Sequence, residues 1–220
     1  MKVYHYARVD EWENIQRGGS WAGADEPGLI GLSRIGQVNP DAFDTTAIFC
    51  FTEPLPKEWM NNPHFQEIWA QLKKHAGKLL LEIEIDESTE AFVIDRGHME
   101  GFFYVSKEGL PEKYLFPTRE EAEREYIKSK ISLKEYMERK DELNFSLPEV
   151  IITKHVPLPQ IKISDRQPLL EEELLFLKKD GRIRNRLIEK INSIPELAEW
   201  YKKYQEASQE VNQSFGPKIF

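Results

Sequence analysis

The sequence predicts an α+β fold on three observations. Short segments of alternating or β-branched apolar residues recur through the first two-thirds of the chain, stretches with helical spacing and capping signals separate them, and after Pro168 strand-like runs cease. At 220 residues the chain accommodates one main domain with a helical appendage, and is too short for two full-sized enzymatic domains. The division predicted is an α+β domain over residues 1–167 and a helical extension over 168–220.

"KVYHYARV" alternates and is rich in aromatic and β-branched residues, which favours a strand over residues 2–9. Asp10 with Glu13 three positions later is the signature of a helix start; Trp12 and Ile15 share its apolar face and Gly18-Gly19 ends it. Residues 20–46, rich in Gly, Pro and Asp, form a long loop of the kind that is ordinarily functional or disordered. "AIFCFTEPLP" is the second strand, stopped by Pro54 and Pro56. A helix follows with Phe65, Ile68, Trp69 and Leu72 at helical spacing, closing near Gly77. "KLLLEIEID" and "EAFVIDRG" are the next strands, with "GFFYVS" as a further candidate. Thr118 with Glu121 and Ser132 with Glu135 start two helices within a charged stretch over 118–142, and "EVIITKHVPL" returns to strand. In the extension, Ser193-Ile194-Pro195-Glu196 starts the last helix with proline in its first turn.

Composition narrows the function classes. No apolar run reaches bilayer length, and the charged, alternating start lacks the apolar core of a secretion signal, so no membrane partner and a cytoplasmic address are expected. The single cysteine, Cys50, excludes an intramolecular disulfide and a cysteine-cluster metal site. A formal charge of −8 argues against a nonspecific polyanion binder, which needs clustered Lys and Arg. The many Glu and Lys residues fit a heat-stable protein. No phosphate-binding glycine loop and no Gly-x-Ser-x-Gly elbow occurs. "DRGHMEG" brings Asp95, His98 and Glu100 close together, but as a polar turn and without metal-ligand spacing.

Two residues stand out chemically. His5 lies between Tyr4 and Tyr6, which point to the opposite sheet face, in a strand that runs straight into a capped helix. A strand histidine is ordinarily a partly buried ring held by a neighbouring backbone group. Glu149 shares a face with Ile151 and Thr153 at the mouth of a strand apolar on both sides, where an ionised group needs a partner or a cleft. The alternative is that Pro148 and Glu149 fall just outside the sheet, with the carboxylate solvated. "GRIRNRLIEK" gathers Arg182, Arg184, Arg186 and Lys190; it is a solvated helix face or a contact for a phosphate-bearing acceptor such as RNA or DNA.

"VYHYARVDEWENIQRGG", "AIFCFTEP" and "PEVIITKHVPL", in that order, resemble the ADP-ribosyltransferase superfamily in its His-Tyr-Glu-type branch, over about residues 2–165. The resemblance implies a split β-sheet core with flanking helices, NAD as co-substrate, and transfer of ADP-ribose to a protein or nucleic-acid acceptor. It implies that Glu149 is the catalytic carboxylate, steadying the ribosyl cation formed as nicotinamide leaves, and that His5 hydrogen-bonds a hydroxyl of the nicotinamide ribose. Tyr6, Phe49, Phe51, Arg8 and Arg34 fall with the NAD-contacting set, Arg34 near the pyrophosphate under a loop carrying Gly28, Gly31 and Gly36. The chain departs from the branch where Phe49 and Phe51 stand in place of a nicotinamide-stacking tyrosine, since phenylalanine stacks but does not hydrogen-bond. Leu147, two residues before Glu149, departs from the arginine-specific branch. A sister chemistry, NAD-dependent removal of an RNA 2′-phosphate, would call on several arginines around the site, where Arg8 and Arg34 alone are placed to help. The reading from a different class is a noncatalytic interaction protein that docks a partner through its C-terminal helices.

Overall fold

The computed structural model describes residues 1–18, 26–29, 33–34, 46–61, 63–86, 89–103, 110–177 and 180–214. In chain order the elements are β1 (Lys2–Ala7), α1 (Trp12–Arg17), β2 (Gly28–Leu29), β3 (Ser33–Arg34), β4 (Thr46–Cys50), α2 (Lys57–Met60), α3 (Pro63–Ala76), β5 (Leu79–Glu84), β6 (Ala91–Asp95) and α4 (Gly97–Phe103). Then come α5 (Arg119–Lys128), β7 (Ile131–Ser132), α6 (Leu133–Arg139), β8 (Pro148–Ile152), β9 (Val156–Pro157), β10 (Ile161–Ile163), α7 (Pro168–Phe176), α8 (Gly181–Asn192) and α9 (Pro195–Ser214). The mixed α and β character expected of the chain is present.

Two antiparallel sheets form the centre, in the orders β1-β5-β10 and β3-β4-β8-β6-β7. Among the described residues their backbones join at one pair: Tyr4 and Phe51 exchange both hydrogen bonds at 2.8 Å. Beyond that pair β1 and β4 part, and the sheets close over a shared apolar layer. Val3, Leu81 and Ile83 of the first sheet meet Ile48, Cys50, Val93, Val150 and Ile152 of the second. The outer face at the split carries Tyr6, Phe51 and Leu80, covered by Trp59 of α2 and Phe65, Ile68 and Trp69 of α3. The outer face of the second sheet carries Ile94 and Ile151, covered by Met99 of α4 and by Ala122 and Tyr126 of α5.

Local signals account for most element ends. The amides of Glu121 and Glu135 donate to the hydroxyls of Thr118 and Ser132 at 3.2 and 3.1 Å, the capping bonds their spacing predicts. At the first helix the cap differs from expectation. The Arg8 amide donates to Glu11 at 3.1 Å and a 3-10 turn over Val9–Glu11 precedes α1, so the Glu at the third position of the turn displaces the expected Asp10–Glu13 pair. Gly77 stops α3 at φ +94, where an added Cβ would lie 2.2 Å from the Ala7 carbonyl. "GFFYVS" is not a strand where it is described: Gly101–Phe103 belong to α4, and residues 104–106 lie outside the described part. Gly97 lets the Tyr114 ring, 2.6 Å from where its Cβ would sit, close over the start of that helix.

Candidate functional site

Glu149 is the second residue of β8, and every residue of that strand is buried. The solvated alternative fails on this point: Pro148–Ile152 is a strand and Glu149 is 1% exposed. Burial of a carboxylate demands a partner, and the partner is Arg96, whose Nη1 donates to Glu149 Oε1 at 2.8 Å. The same guanidinium donates through Nε to Glu100, one helical turn further on. It also lies 5.8 Å from the centre of the Trp59 ring. Two buried carboxylates thus share one arginine. Burial works against the Arg96 charge, but Glu149 and Glu100 outweigh it and hold the guanidinium protonated well above its ordinary range. Burial pushes the Glu100 carboxyl up, with Arg96 opposing, and its Oε2 makes no hydrogen bond. The phenol of Tyr126 and the thiol of Cys50 are both raised, by burial first and then by the Glu149 charge.

This centre is set by Asp95. Its carboxylate accepts the amides of Gly97 and Leu147 at 3.1 Å each, the amide of Ser146 at 3.3 Å and the Tyr114 hydroxyl at 2.5 Å. One buried side chain therefore ties the start of α4 to the start of β8. The Arg96 amide adds a bond to the Leu147 carbonyl at 3.0 Å. Arg96, its backbone held between the two tied points, is placed to reach Glu149. The indole of Trp59 donates to the Pro148 carbonyl at 3.4 Å, closing the third side.

His5 sits where the sheets part. Its Nδ1–H donates to the Phe49 carbonyl at 2.8 Å, the oxygen that the next ladder bond of the Tyr4–Phe51 pair would use. The backbone-held ring expected of a strand histidine is realised, and it leaves Nε2 for another partner. Burial lowers its pKa, with the Phe49 bond opposing, so the neutral ring is favoured. By strand alternation, however, His5 shares a face with Val3 and Ala7 toward the layer between the sheets. Glu149 follows the row Phe49–Ile151 and Ile94 on the outer face. The two predicted residues are neighbours across β4, on opposite faces of it.

The remaining predicted residues divide. Tyr6 is 3% exposed and donates its hydroxyl to the Pro54 carbonyl at 2.5 Å. Phe51 is 3% exposed, edge-on to Trp59 and Trp69 at 5.6 and 5.3 Å. Both are core residues, Phe49 is half-buried over Ile151, and Arg8 is exposed, paired with Glu11 at 2.9 Å. The Arg34 backbone pairs with Thr46, and its side chain lies outside the described part, as do Gly31 and Gly36. Gly28 packs in β2 against His155 and Val156 of the β9 approach. Sequence reasoning passed over Arg96. The signal was there: in "DRGHMEG" Arg96 and Glu100 stand four apart, the spacing at which helical side chains meet. No family model matches this sequence, and neither does any curated protein or solved structure.

Proposed function

We propose that the chain is an NAD-consuming ADP-ribosyltransferase acting through Glu149. The observation that carries this reading is the buried centre itself, in which two carboxylates surround one guanidinium at the mouth of a strand. A buried carboxylate of that kind, held in place and shielded from water, favours a positive charge forming beside it. Loss of nicotinamide creates one: the bond from ribose C1′ to the pyridine nitrogen breaks, its electron pair leaves with nicotinamide, and C1′ becomes an oxocarbenium. An acceptor nucleophile then bonds to C1′ and gives up its proton to solvent water. For Glu149 to reach the sugar, Arg96 would release its Nη1 contact. Arg96 is the one member of the triad with appreciable exposure, 23%, and a pyrophosphate is a group that draws a guanidinium into a bidentate contact. The neutral His5 ring, with Nδ1 occupied, would offer Nε2 to a ribose hydroxyl at the split between the sheets.

A second reading, a noncatalytic interaction protein, is favoured by one specific observation: His5 and Glu149 project from opposite faces of the strand pairing that joins them. Two measurements separate the readings. Millimolar NAD should raise the thermal midpoint by mass action if the native state alone binds it. Incubation with radiolabelled NAD should label acceptor protein or oligonucleotide, and Glu149→Gln should reduce that labelling at least about a hundredfold while retaining the NAD-induced shift. Labelling equal to the parent removes Glu149 from its role; no shift and no labelling leaves the noncatalytic reading.

A further inference from the structure

A cleft of about 480 Å³ opens between α8 and α9, within the roughly 300–1,000 Å³ that ordinarily encloses a single small molecule. Its two walls follow from helical period. Arg184, Asn185 and Asn192 come from one side of α8, and Tyr201, Lys202 and Gln205 from one side of α9. Arg182, Arg186 and Lys190, the other cations of "GRIRNRLIEK", fall on the far side of α8 and do not line the cleft.

In a chain with 38 Asp and Glu against 30 Lys and Arg, this lining holds two cations and no carboxylate among the described residues. Neither cation is spent. Arg184 and Lys202 make no ion pair and no side-chain hydrogen bond among the described residues. Arg184 Nε is shut away from solvent, so the guanidinium presents its charge through the two terminal nitrogens, which are not. Arg184 also borders a larger groove lined by Asp165, Glu171 and Glu196, yet none of these acids forms an ion pair with it. The carboxylate of Glu199 is taken by Lys203 at 3.0 Å, and Lys203 also feels Asp165 and Glu206. The neutral lining adds donors: the carboxamides of Asn185, Asn192 and Gln205 and the Tyr201 hydroxyl have no hydrogen-bond partner among the described residues.

Cations joined by neutral donors, with no acid between them, are the setting of an oxyanion. Charge decides which one. A phosphomonoester carries about −1.5 to −2 at pH 7 and matches two cations, whereas a carboxylate, or each phosphodiester of a nucleic acid, brings a single charge. A polyanion would also need a continuous cationic track, and the remaining cations of α8 face away. Ile188 and Ala198 give the cleft an apolar flank for a carbon skeleton. We propose that the cleft between α8 and α9 binds a small phosphomonoester, with Arg184 and Lys202 holding the phosphate. The inference stands apart from the Glu149 reading and survives its failure.

Isothermal titration calorimetry on the full chain in phosphate-free buffer at pH 7.5 tests it, with inorganic phosphate and phenyl phosphate as probes. Saturable binding of both is expected, tighter for phenyl phosphate, whose ring meets the apolar flank. Arg184→Gln and Lys202→Gln should each weaken it about tenfold at an unchanged unfolding midpoint. Arg182→Gln/Arg186→Gln, on the far side of the same helix, should leave it unchanged. The second proton of a phosphomonoester leaves at about pH 6, so affinity for phenyl phosphate should fall several-fold at pH 5. The proposal is overturned if neither probe saturates, if acetate binds as well as phosphate, or if the double variant weakens binding as much as Lys202→Gln does. It is overturned equally if single-stranded oligothymidine displaces phenyl phosphate at equal phosphate concentration, which would make the surface a nucleic-acid contact.

Discussion

At the scale of single residues, the titration of His5 links its placement to a measurable property. Its ring is half-buried, its Nδ1–H is committed to Phe49, and burial lowers its pKa from the ordinary 6.5. The unfolded chain therefore holds the proton more tightly than the folded one between the lowered value and 6.5. Unfolding free energy should climb with pH through that window and level off on either side of it, above 6.5 and below the folded-state value. The slope cannot exceed about 1.4 kcal/mol per pH unit for one proton. His98 is lowered in the same direction by burial, so the informative quantity is the difference between the parent and His5→Gln, measured by urea unfolding from pH 5 to 8. Parallel curves would mean that His5 titrates in the folded protein as it does in the unfolded one. That a histidine in this strand would be held by backbone was legible in the sequence, because a ring on a positioned strand finds the nearest carbonyl. That Glu149 would need a partner or a cleft if it lay within the strand was legible too, from the apolar residues on both sides of it, but its burial was not, since the same residues allowed a carboxylate solvated just outside the sheet. Its partner was not: Arg96 reaches Glu149 across 53 positions, a long-range contact set by strand register that spacing along one element does not encode.

At the scale of elements, the Asp95 carboxylate decides whether the triad exists, since it receives the first amide of α4, two amides leading into β8, and the Tyr114 hydroxyl. Asp95→Asn keeps one acceptor but turns an NH₂ group toward donors, among which the Ser146 amide has a second acceptor in the Tyr114 hydroxyl at 3.1 Å. A loss of about 2–3 kcal/mol is expected in urea unfolding, against about 1–2 kcal/mol for Tyr114→Phe, after which the carboxylate still has its amides. The reverse order would mean that the clamp is held by the ring and not by the acid. Elements differ in how openly the sequence declares them. Thr118 and Ser132 announce their helices because a hydroxyl three residues before a Glu acts locally. "GFFYVS" misleads as a strand because its aromatic and β-branched composition suits a sheet, while Asp95 and Gly97 upstream start a helix that runs through its first residues. Tertiary clamping overrides propensity there.

At the scale of the whole molecule, the helical extension after Pro168 packs into the core of the sheets. Leu170 and Leu174 of α7, Ile191 of α8, and Leu197, Trp200 and Tyr201 of α9 belong to the same apolar cluster as Val3, Leu81 and Val150 of the sheets. Gln167, fully buried, binds the middle strand like a further strand residue: its Oε1 accepts the Leu80 amide at 2.9 Å and its Nε2 donates to the Leu80 carbonyl at 3.0 Å. Ion pairs of Lys73 with Glu172 and Lys78 with Glu173 add contacts at the rim, each worth little by itself. A chain cut after residue 167 would uncover the part of this apolar cluster that α7, α8 and α9 cover, and lose several large side chains whose burial contributes about 1.5–3 kcal/mol apiece. Against a typical domain stability of about 5–15 kcal/mol that loss is decisive. The truncated chain should therefore keep helical and strand signals in far-ultraviolet circular dichroism, lose the near-ultraviolet signal of its packed tryptophans, and bind a hydrophobic dye. A truncated chain that retains a sharp, cooperative thermal transition close to the parent's would show instead that residues 1–167 fold alone, and that the helices rest on a core already complete.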